Sequence, residues 1–360
     1  MTEVATKACL HGSGAKVISR THGCVPLIVV VGLSCASGAA RTTSGPPGWM
    51  NGKDARFPAE AFLTGVGTGD SKAAAEDSAR AEISKIFLVH VQELAQARSS
   101  YVGYTSRAGT ASWVSQNDVS QMTTTHTDQI LEGMQIVECF TDVSGRVSAL
   151  AVLDRRAARR RLEQQVGDLD TSIKGHIAES EKAPGKVLRL KLMMRALEKI
   201  KEREVANAQY RVVNPSGQGL PVQVDAGAFD VKMTAVLATV RVAVDVRGDD
   251  DGMIGAAITE SLTRGRLQVQ PSSVGADIIV RGTATGTQTN QESRTGFKFV
   301  AFDSAIQMID VVNGTVFGSI AISHREGAQD VSDARRMCLM RLAEMIVRKF
   351  NEGLREFLLK

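Results

Sequence analysis

The hydrophobic residues between positions 47 and 154 follow first a strand pattern and then a helical one. Residues 61–64 predict a short strand, and the glycine-rich run 65–69 predicts a tight turn into a helix capped by Asp70 or Ser71. The inner face of that helix, spaced by four, four and three residues, consists of Ala75, Ala79, Ile83 and Ile86. Further along, the pattern predicts a strand at 86–95, a helix at 117–131, and strands at 134–143 and 146–153 joined at Ser144-Gly145.

From residue 155 the spacing of apolar residues becomes helical. Two apolar runs separated by Pro184-Gly185 predict an antiparallel helical hairpin over 155–205. The runs are Leu162, Val166, Leu169, Ile173 and Ile177, followed by Leu190, Met194, Leu197 and Ile200. Prolines and glycines in 206–228 predict a connector.

The last part of the chain, 229–360, predicts a second module with the order strand, helix, four strands, helix. Asn313-Gly314 predicts a hairpin turn between the last two strands, and a terminal helix follows Gly327 with Asp330 or Ser332 as its cap. Its inner face consists of Cys338, Leu342, Met345, Ile346 and Leu354. The predicted fold class is therefore α+β, with two α+β modules, 47–154 and 229–360, joined by the helical hairpin.

The N-terminus has the pattern of a secretory signal. Three basic residues precede an apolar run at 25–33, which is far shorter than the roughly 20 residues of a membrane-spanning helix. Cys35 follows directly after Ser34, and a thiol at this place can carry two acyl chains, which anchor where one would not. We therefore predict a lipoprotein signal peptide at 1–34, lipidation of Cys35 and a flexible tether at 35–46. An ordinary cleaved signal, an uncleaved anchor and a cytosolic protein are the alternatives.

Composition argues against nucleic acid as a partner. Aromatic residues make up only 4% of the 360 residues and the formal net charge is +4, so the chain has neither many stacking rings nor a large basic field. The arginine cluster at 155–161 is followed at once by Glu163 and Asp168, which is typical of a solvated helix start. Cys139 and Cys338 are expected to be small buried hydrophobes, because so few cysteines give no disulfide framework.

Two segments resemble ligand-binding motifs, but each has an unsuitable residue at a position that the motif requires. The run at 65–69 resembles a dinucleotide fingerprint, but Asp70 occupies the position where a glycine is needed. The acidic loop 249–252 resembles a calcium loop, but Arg247 and Ile258 stand where carboxylates are required. The sequence therefore predicts no catalytic residue, no metal site and no cofactor.

Two resemblances to known families rest on the motifs of the two modules. Residues 47–49 and 62–67, with Ser71, Ala75 and Ala79, resemble the LPP20 lipoprotein family, whose fold is shared with the N-terminal domain of flagellar assembly protein T. Residues 276–282 and 308–310, with Asn313-Gly314, resemble the periplasmic domains of LpoB-type and CsgG-type lipoproteins. Both resemblances imply a non-enzymatic protein in envelope assembly, scaffolding or partner activation.

These observations lead to one functional expectation and two alternatives. The expectation is a non-enzymatic lipoprotein, held by its lipid in the outer membrane and facing the periplasm, that binds other envelope proteins as a scaffold or assembly factor. Ala36 after the cysteine favours sorting to the outer membrane, as the lipoprotein resemblance implies. The first alternative is a regulator that binds a cell-wall synthase or a flagellar component. The second is a secreted hydrolase.

Overall fold

Two separate β-sheets with helices packed on them form the fold, which confirms the predicted α+β class. The computed structural model describes residues 46–51, 54–105, 133–249, 251–289 and 296–360, and within these it does not describe the side chains of 91–105 and 288–289. The predicted signal peptide, Cys35 and the predicted helix at 117–131 lie outside the described residues. Gly45–Lys360 forms one compact unit.

The first sheet has three antiparallel strands, β1 (Phe62–Gly69), β2 (Met134–Thr141) and β3 (Val147–Asp154), in the order β1-β3-β2. The predicted hairpin between β2 and β3 is confirmed, and Gly145 takes a positive φ of 86° there. Helix α1 (Lys72–Thr105) covers one face of this sheet. A 3-10 turn at Gly48–Asn51 places the buried Trp49 on the other face.

The predicted turn at 65–69 is wrong, because these residues belong to β1. The glycines are needed for close packing of α1 on the strand. A Cβ on Gly67 would lie 2.0 Å from the backbone nitrogen of Ala79 and 2.5 Å from the carbonyl oxygen of Ala75. Both alanines are fully buried, so α1 lies in close contact with the sheet.

The predicted strand at 86–95 is also wrong, because α1 continues through it. The inner face repeats every four residues, so that Phe87 is fully buried while Ile86 is 42% exposed. The N-terminal cap is Ser71, whose hydroxyl accepts a hydrogen bond from the backbone N–H of Ala74. Residues 86–95 have a high strand propensity, but they are helical because the buried residues of α1 follow a helical spacing.

The helical hairpin consists of α2 (Arg155–Lys182) and α3 (Lys186–Val213). Asp154 caps α2 through its side chain, which accepts hydrogen bonds from the N–H groups of Arg156 and Ala157. The predicted end at residue 205 is wrong, since α3 runs eight residues further, into the predicted connector. Ala206, Tyr210 and Val213 in this added part are buried.

The second sheet has five strands in the order β5-β4-β6-β7-β8, parallel across β5-β4-β6 and antiparallel across β6-β7-β8. The elements of this second module are α4 (Ala226–Leu237), β4 (Arg241–Arg247), α5 (Met253–Arg264), β5 (Gln268–Gln270), β6 (Ile278–Thr289), β7 (Lys298–Asp310), β8 (Thr315–Ala328) and α6 (Val331–Leu359).

The sequence pattern does not predict α4, so the connector between the hairpin and the second module is shorter at both ends than the predicted range 206–228. The predicted cap Asp330 is confirmed, because its carboxylate accepts the N–H of Ser332 at the start of α6.

Helix α3 belongs to both hydrophobic cores. Its N-terminal half packs into the core of the second sheet through Leu190 and Met193. Its C-terminal half packs into the core of the first sheet through Ala206 and Tyr210. A single continuous 28-residue helix therefore connects the two sheets, and the hairpin is not an independent third module.

The two described cysteines differ in exposure. Cys338 is fully buried as predicted, but Cys139 is exposed, so the prediction for Cys139 is wrong. Burial raises the pKa of the Cys338 thiol, which keeps it protonated and unreactive.

We expect iodoacetamide to modify Cys139 at least tenfold faster than Cys338 in the folded protein, because only the exposed thiolate is accessible. Peptide-resolved mass spectrometry after timed labelling measures both rates in one sample. In urea the two rates should converge. Equal rates without urea would contradict the burial of Cys338.

Candidate interaction surface

One face of the second sheet carries a surface of short side chains. Along β7 the even-numbered residues are buried beneath the helices, whereas Asp303, Ala305 and Gln307 are exposed on the opposite face. The strand pairing places each of them in a row with residues of β6 and β8. The three rows are Thr285-Asp303-Ser323, Thr283-Ala305-Ala321 and Arg281-Gln307-Ser319.

The exposed rows form a flat surface because only Arg281 and Gln307 carry long side chains. All nine residues of the rows are exposed. A hydrogen bond from the Ser323 hydroxyl to the Asp303 carboxylate links neighbouring strands across the surface. Such a face can approach another protein backbone closely and offers hydroxyl groups for hydrogen bonding.

Two pairs of a glycine and a phenylalanine, one on each face of the sheet, help to hold β7 to its neighbours. Gly286 lies opposite Phe302 and Gly327 lies opposite Phe299. A Cβ on either glycine would come within 2.6 Å of the partner's ring. The rings of β7 therefore cover their glycine partners, which is a known way to stabilise glycine-containing strands.

A buried ion pair connects the hairpin with the segment that follows it. The Arg203 guanidinium on α3 donates to the Asp170 carboxylate on α2 at 2.5 Å, and also to the carbonyl oxygen of Pro221 at 2.5 Å. Asn207 holds the same segment, since its side-chain oxygen accepts the N–H of Leu220 at 2.7 Å. These contacts fix the path of the chain from the hairpin towards the second sheet.

Two acidic residues of the loop at 249–252 form hydrogen bonds with the helices α5 and α6. One carboxylate oxygen of Asp249 accepts the N–H of Gly255 in the first turn of α5 at 2.8 Å. Asp251 accepts a hydrogen bond from Arg335 of α6 at 3.1 Å. Among the described residues, no group of three or more His, Cys, Asp or Glu side chains could hold a metal ion.

The arginine cluster at the start of α2 is only partly solvated, which corrects the prediction for its first member. Arg155 is half-buried and donates to the carbonyl oxygen of Val212 at 2.7 Å and to that of Phe62 at 3.3 Å. Burial lowers the pKa of Arg155. The residue links α2 to the end of α3 and to β1, so it has a structural role.

A small polar contact lies on the outer side of the first sheet. Arg56 donates to both Asp54 and Glu138, with a distance of 2.7 Å to Glu138 on β2. The guanidinium holds the pKa of the Glu138 carboxyl below its usual range. This contact fastens the segment before β1 to the sheet edge.

None of the site predictions from the sequence falls on the exposed sheet face. Its residues were predicted only as parts of strands. The signal that marks them is the alternation of short exposed residues with buried ones along the strands, for example Thr283 between the buried Gly282 and Ala284. No described helix has the length and apolar character needed to cross a bilayer.

Solved structures similar to this chain include several lipoproteins. A secreted protein of Helicobacter pylori is 13% identical, with a TM-score of 0.43, and the alignment covers 81% of this chain and 98% of that one. A minor lipoprotein of Acinetobacter baumannii is 14% identical with a TM-score of 0.26, covering 31% and 93%. The rare lipoprotein B of Shewanella oneidensis is 10% identical with a TM-score of 0.23, covering 32% and 92%. With TM-scores below 0.5, these similarities support no inference about function.

A family comparison gives the firmer result. No curated protein matches this chain. The resemblance of the second module to LpoB-type and CsgG-type domains stays a prediction. For the first module, the sequence model of the LPP20 lipoprotein family matches residues 47–154, which confirms the resemblance of that module to the family.

Proposed function

We propose that this chain is a non-enzymatic lipoprotein of the outer membrane that faces the periplasm and acts as a scaffold or assembly factor of the cell envelope. The observation that carries the proposal is the match of residues 47–154 to the LPP20 lipoprotein family. The described part of the matched segment contains one sheet, its covering helix and the turn that carries Trp49.

The proposed attachment is through lipid on Cys35. The cysteine stands directly after a basic and then apolar leader, and a diacylated thiol supplies the two chains that stable anchoring needs. The short tether proposed at 35–46 would keep the folded part that follows it close to the bilayer.

The rigidity of the body supports a scaffold role. The shared helix α3 connects the two sheets within one unit, and the buried pair Arg203–Asp170 holds α2 to α3. A partner that binds the second sheet would therefore be held at a defined place relative to the first. The exposed rows on β6, β7 and β8 are the surface that we propose for this partner.

Replacing Cys35 by serine should move the protein from the membrane fraction to the soluble fraction and abolish incorporation of labelled palmitate, because the acyl chains have no sulfur to bind. The matched control is Cys24→Ser, which removes another cysteine of the leader and should leave both properties unchanged. Membrane association and labelling that persist in Cys35→Ser would contradict the proposed anchor.

Photo-crosslinking in cells tests the proposed surface. A photoreactive residue at Thr283 on β6 should give a discrete adduct with an envelope protein, whereas one at the exposed Glu344 on α6 should not. An adduct with a cell-wall synthase would favour the regulatory function over a passive scaffold. The absence of any adduct specific to Thr283 would contradict the surface.

A further inference from the structure

The second sheet ends in a long edge strand. β8 covers 14 residues, Thr315–Ala328, and among the described residues it pairs only with β7. The opposite edge of the same sheet is the three-residue strand β5. A long edge exposes a row of backbone N–H and C=O groups that can pair with another strand.

A bulge interrupts the pairing of β8 with β7 between Val316 and Gly318, and the remainder of the first part of this edge lacks the features that prevent strand pairing. Residues 315–323 read TVFGSIAIS and contain no charged residue and no proline. All charged residues of β8, and its one histidine, lie at 324–326. Edge strands in natural proteins are usually protected by lysine, proline, a bulge or an inward-pointing charge, so the regular run 318–323, which has none of these, indicates a strand that is covered in the working protein.

We propose that β8 pairs in antiparallel orientation with β8 of a second copy of this chain, about a two-fold axis at Ile320 or Ala321. The two five-stranded sheets would then form one continuous ten-stranded sheet. This inference goes beyond the proposed envelope function and does not depend on it.

The charged residues of β8 allow antiparallel pairing with a second β8 in both possible registers, the one with the axis at Ile320 and the one with the axis at Ala321. With the axis at Ile320, Arg325 lies opposite Thr315, and with the axis at Ala321 it lies opposite Phe317. No two like charges face each other in either arrangement. In the first, the two Arg325 residues are ten positions apart along the sheet, or about 34 Å, well beyond the Debye length of about 8 Å at physiological salt.

The side chains next to the axis also fit this pairing. Ser319, Ala321 and Ser323 are exposed and small, so they place no steric obstacle on that face. On the helix-covered face, Ile322 is only half-buried in one copy. The pairing brings Ile320 of one copy against Ile320 or Ile322 of the other, and thereby completes the burial of Ile322.

The test uses the full chain in detergent and measures its mass by native mass spectrometry. We expect the unchanged protein to be a dimer, and the variant Ser319→Lys with Ala321→Lys to be a monomer, with the dissociation constant raised about 100-fold or more. In both registers the new lysines face one another across the axis, where like charges oppose pairing. A wild-type monomer at about 100 μM, where pairing of this extent should be populated, would overturn the proposal.

The matched control places the same two charges on the same face, one strand further in. Gln307→Lys with Ala305→Lys changes the exposed register partners of Ser319 and Ala321 on β7. This variant should remain a dimer, because β7 is not an edge. Loss of the dimer in the control as well would assign the contact to the sheet face and overturn pairing through the edge.

Hydrogen exchange on the wild-type protein gives a second test that does not depend on the folding of any variant. Backbone amides of 315–323 that point away from β7 should exchange at least tenfold more slowly in a concentrated dimeric sample than in a dilute monomeric one. Protection that is the same at both concentrations would show that another segment of the same chain covers the edge, and would overturn the proposal.

Discussion

Gly67→Ala is expected to destabilise the protein by about 3 kcal/mol, although it adds only one methyl group. The new Cβ would lie 2.0 Å from the backbone nitrogen of Ala79, and a main-chain atom cannot move aside as a flexible side chain can. Helix α1 would have to lift from β1, which would open the contact of Ala75 and Ala79 with the sheet. Urea unfolding followed by circular dichroism measures the loss.

The control for this variant makes the same chemical change where space is free. Gly175 lies in the interior of α2, is exposed, and has no atom within 4 Å of an added Cβ. Gly175→Ala should therefore stabilise the protein by about 1 kcal/mol, since alanine is the better helix former. The two variants are predicted to shift stability in opposite directions. A change below about 0.5 kcal/mol for Gly67→Ala would contradict the close packing of α1 on β1.

The second large effect is expected at the buried ion pair. Arg203→Met should reduce the free energy of unfolding by about 3–5 kcal/mol, because it leaves the Asp170 carboxylate buried without a cation. Arg203 and Asp170 are 5% and 9% exposed, so water cannot replace the missing partner. The carbonyl oxygen of Pro221 loses its donor at the same time.

The double variant Asp170→Leu with Arg203→Met distinguishes the energy of the ion pair from the energy of the other contacts that the two residues make. Removing both charges should restore most of the lost stability and leave a deficit of about 1 kcal/mol for the unpaired carbonyl of Pro221. Urea unfolding of the two single variants and the double variant gives the coupling energy directly. Additive losses in this cycle would contradict a direct interaction between the two side chains.

The elements that could be predicted from the sequence are those whose burial follows one clear period. The β2–β3 and β7–β8 hairpins, the α2–α3 hairpin and α6 are correctly predicted as elements, because turns such as Asn313-Gly314 separate regular patterns. Fold class follows from their order. Boundaries are less accurate, as the extension of α3 to Val213 shows.

The errors in the first module share one physical cause. The glycine-rich run predicts a turn, whereas Gly65 and Gly67 occupy alternate positions of a strand and face a helix. Likewise the strand propensity of the residues after Ile83 predicts a strand, whereas Phe87 continues the helical spacing of four that begins at Ala75. In both places contact between elements that are distant in sequence decides the structure, and local propensity does not report such contacts.

The candidate surface could not be predicted from the sequence for a related reason. Which face of β6, β7 and β8 is free depends on where α6 packs, and the register that aligns Thr283, Ala305 and Ala321 depends on two hairpins. Cys139 shows the same limit, because its exposure follows from the position of β2 at an edge of the first sheet.

The most direct test of the proposed function is the chemical state of Cys35 in the protein isolated from membranes. Mass spectrometry of the N-terminal peptide should find Cys35 as the first residue, with a thioether-linked diacylglyceryl group on its sulfur. An N-terminus at any other residue, or an unmodified Cys35 within a longer chain, would contradict the account of this protein as an anchored lipoprotein.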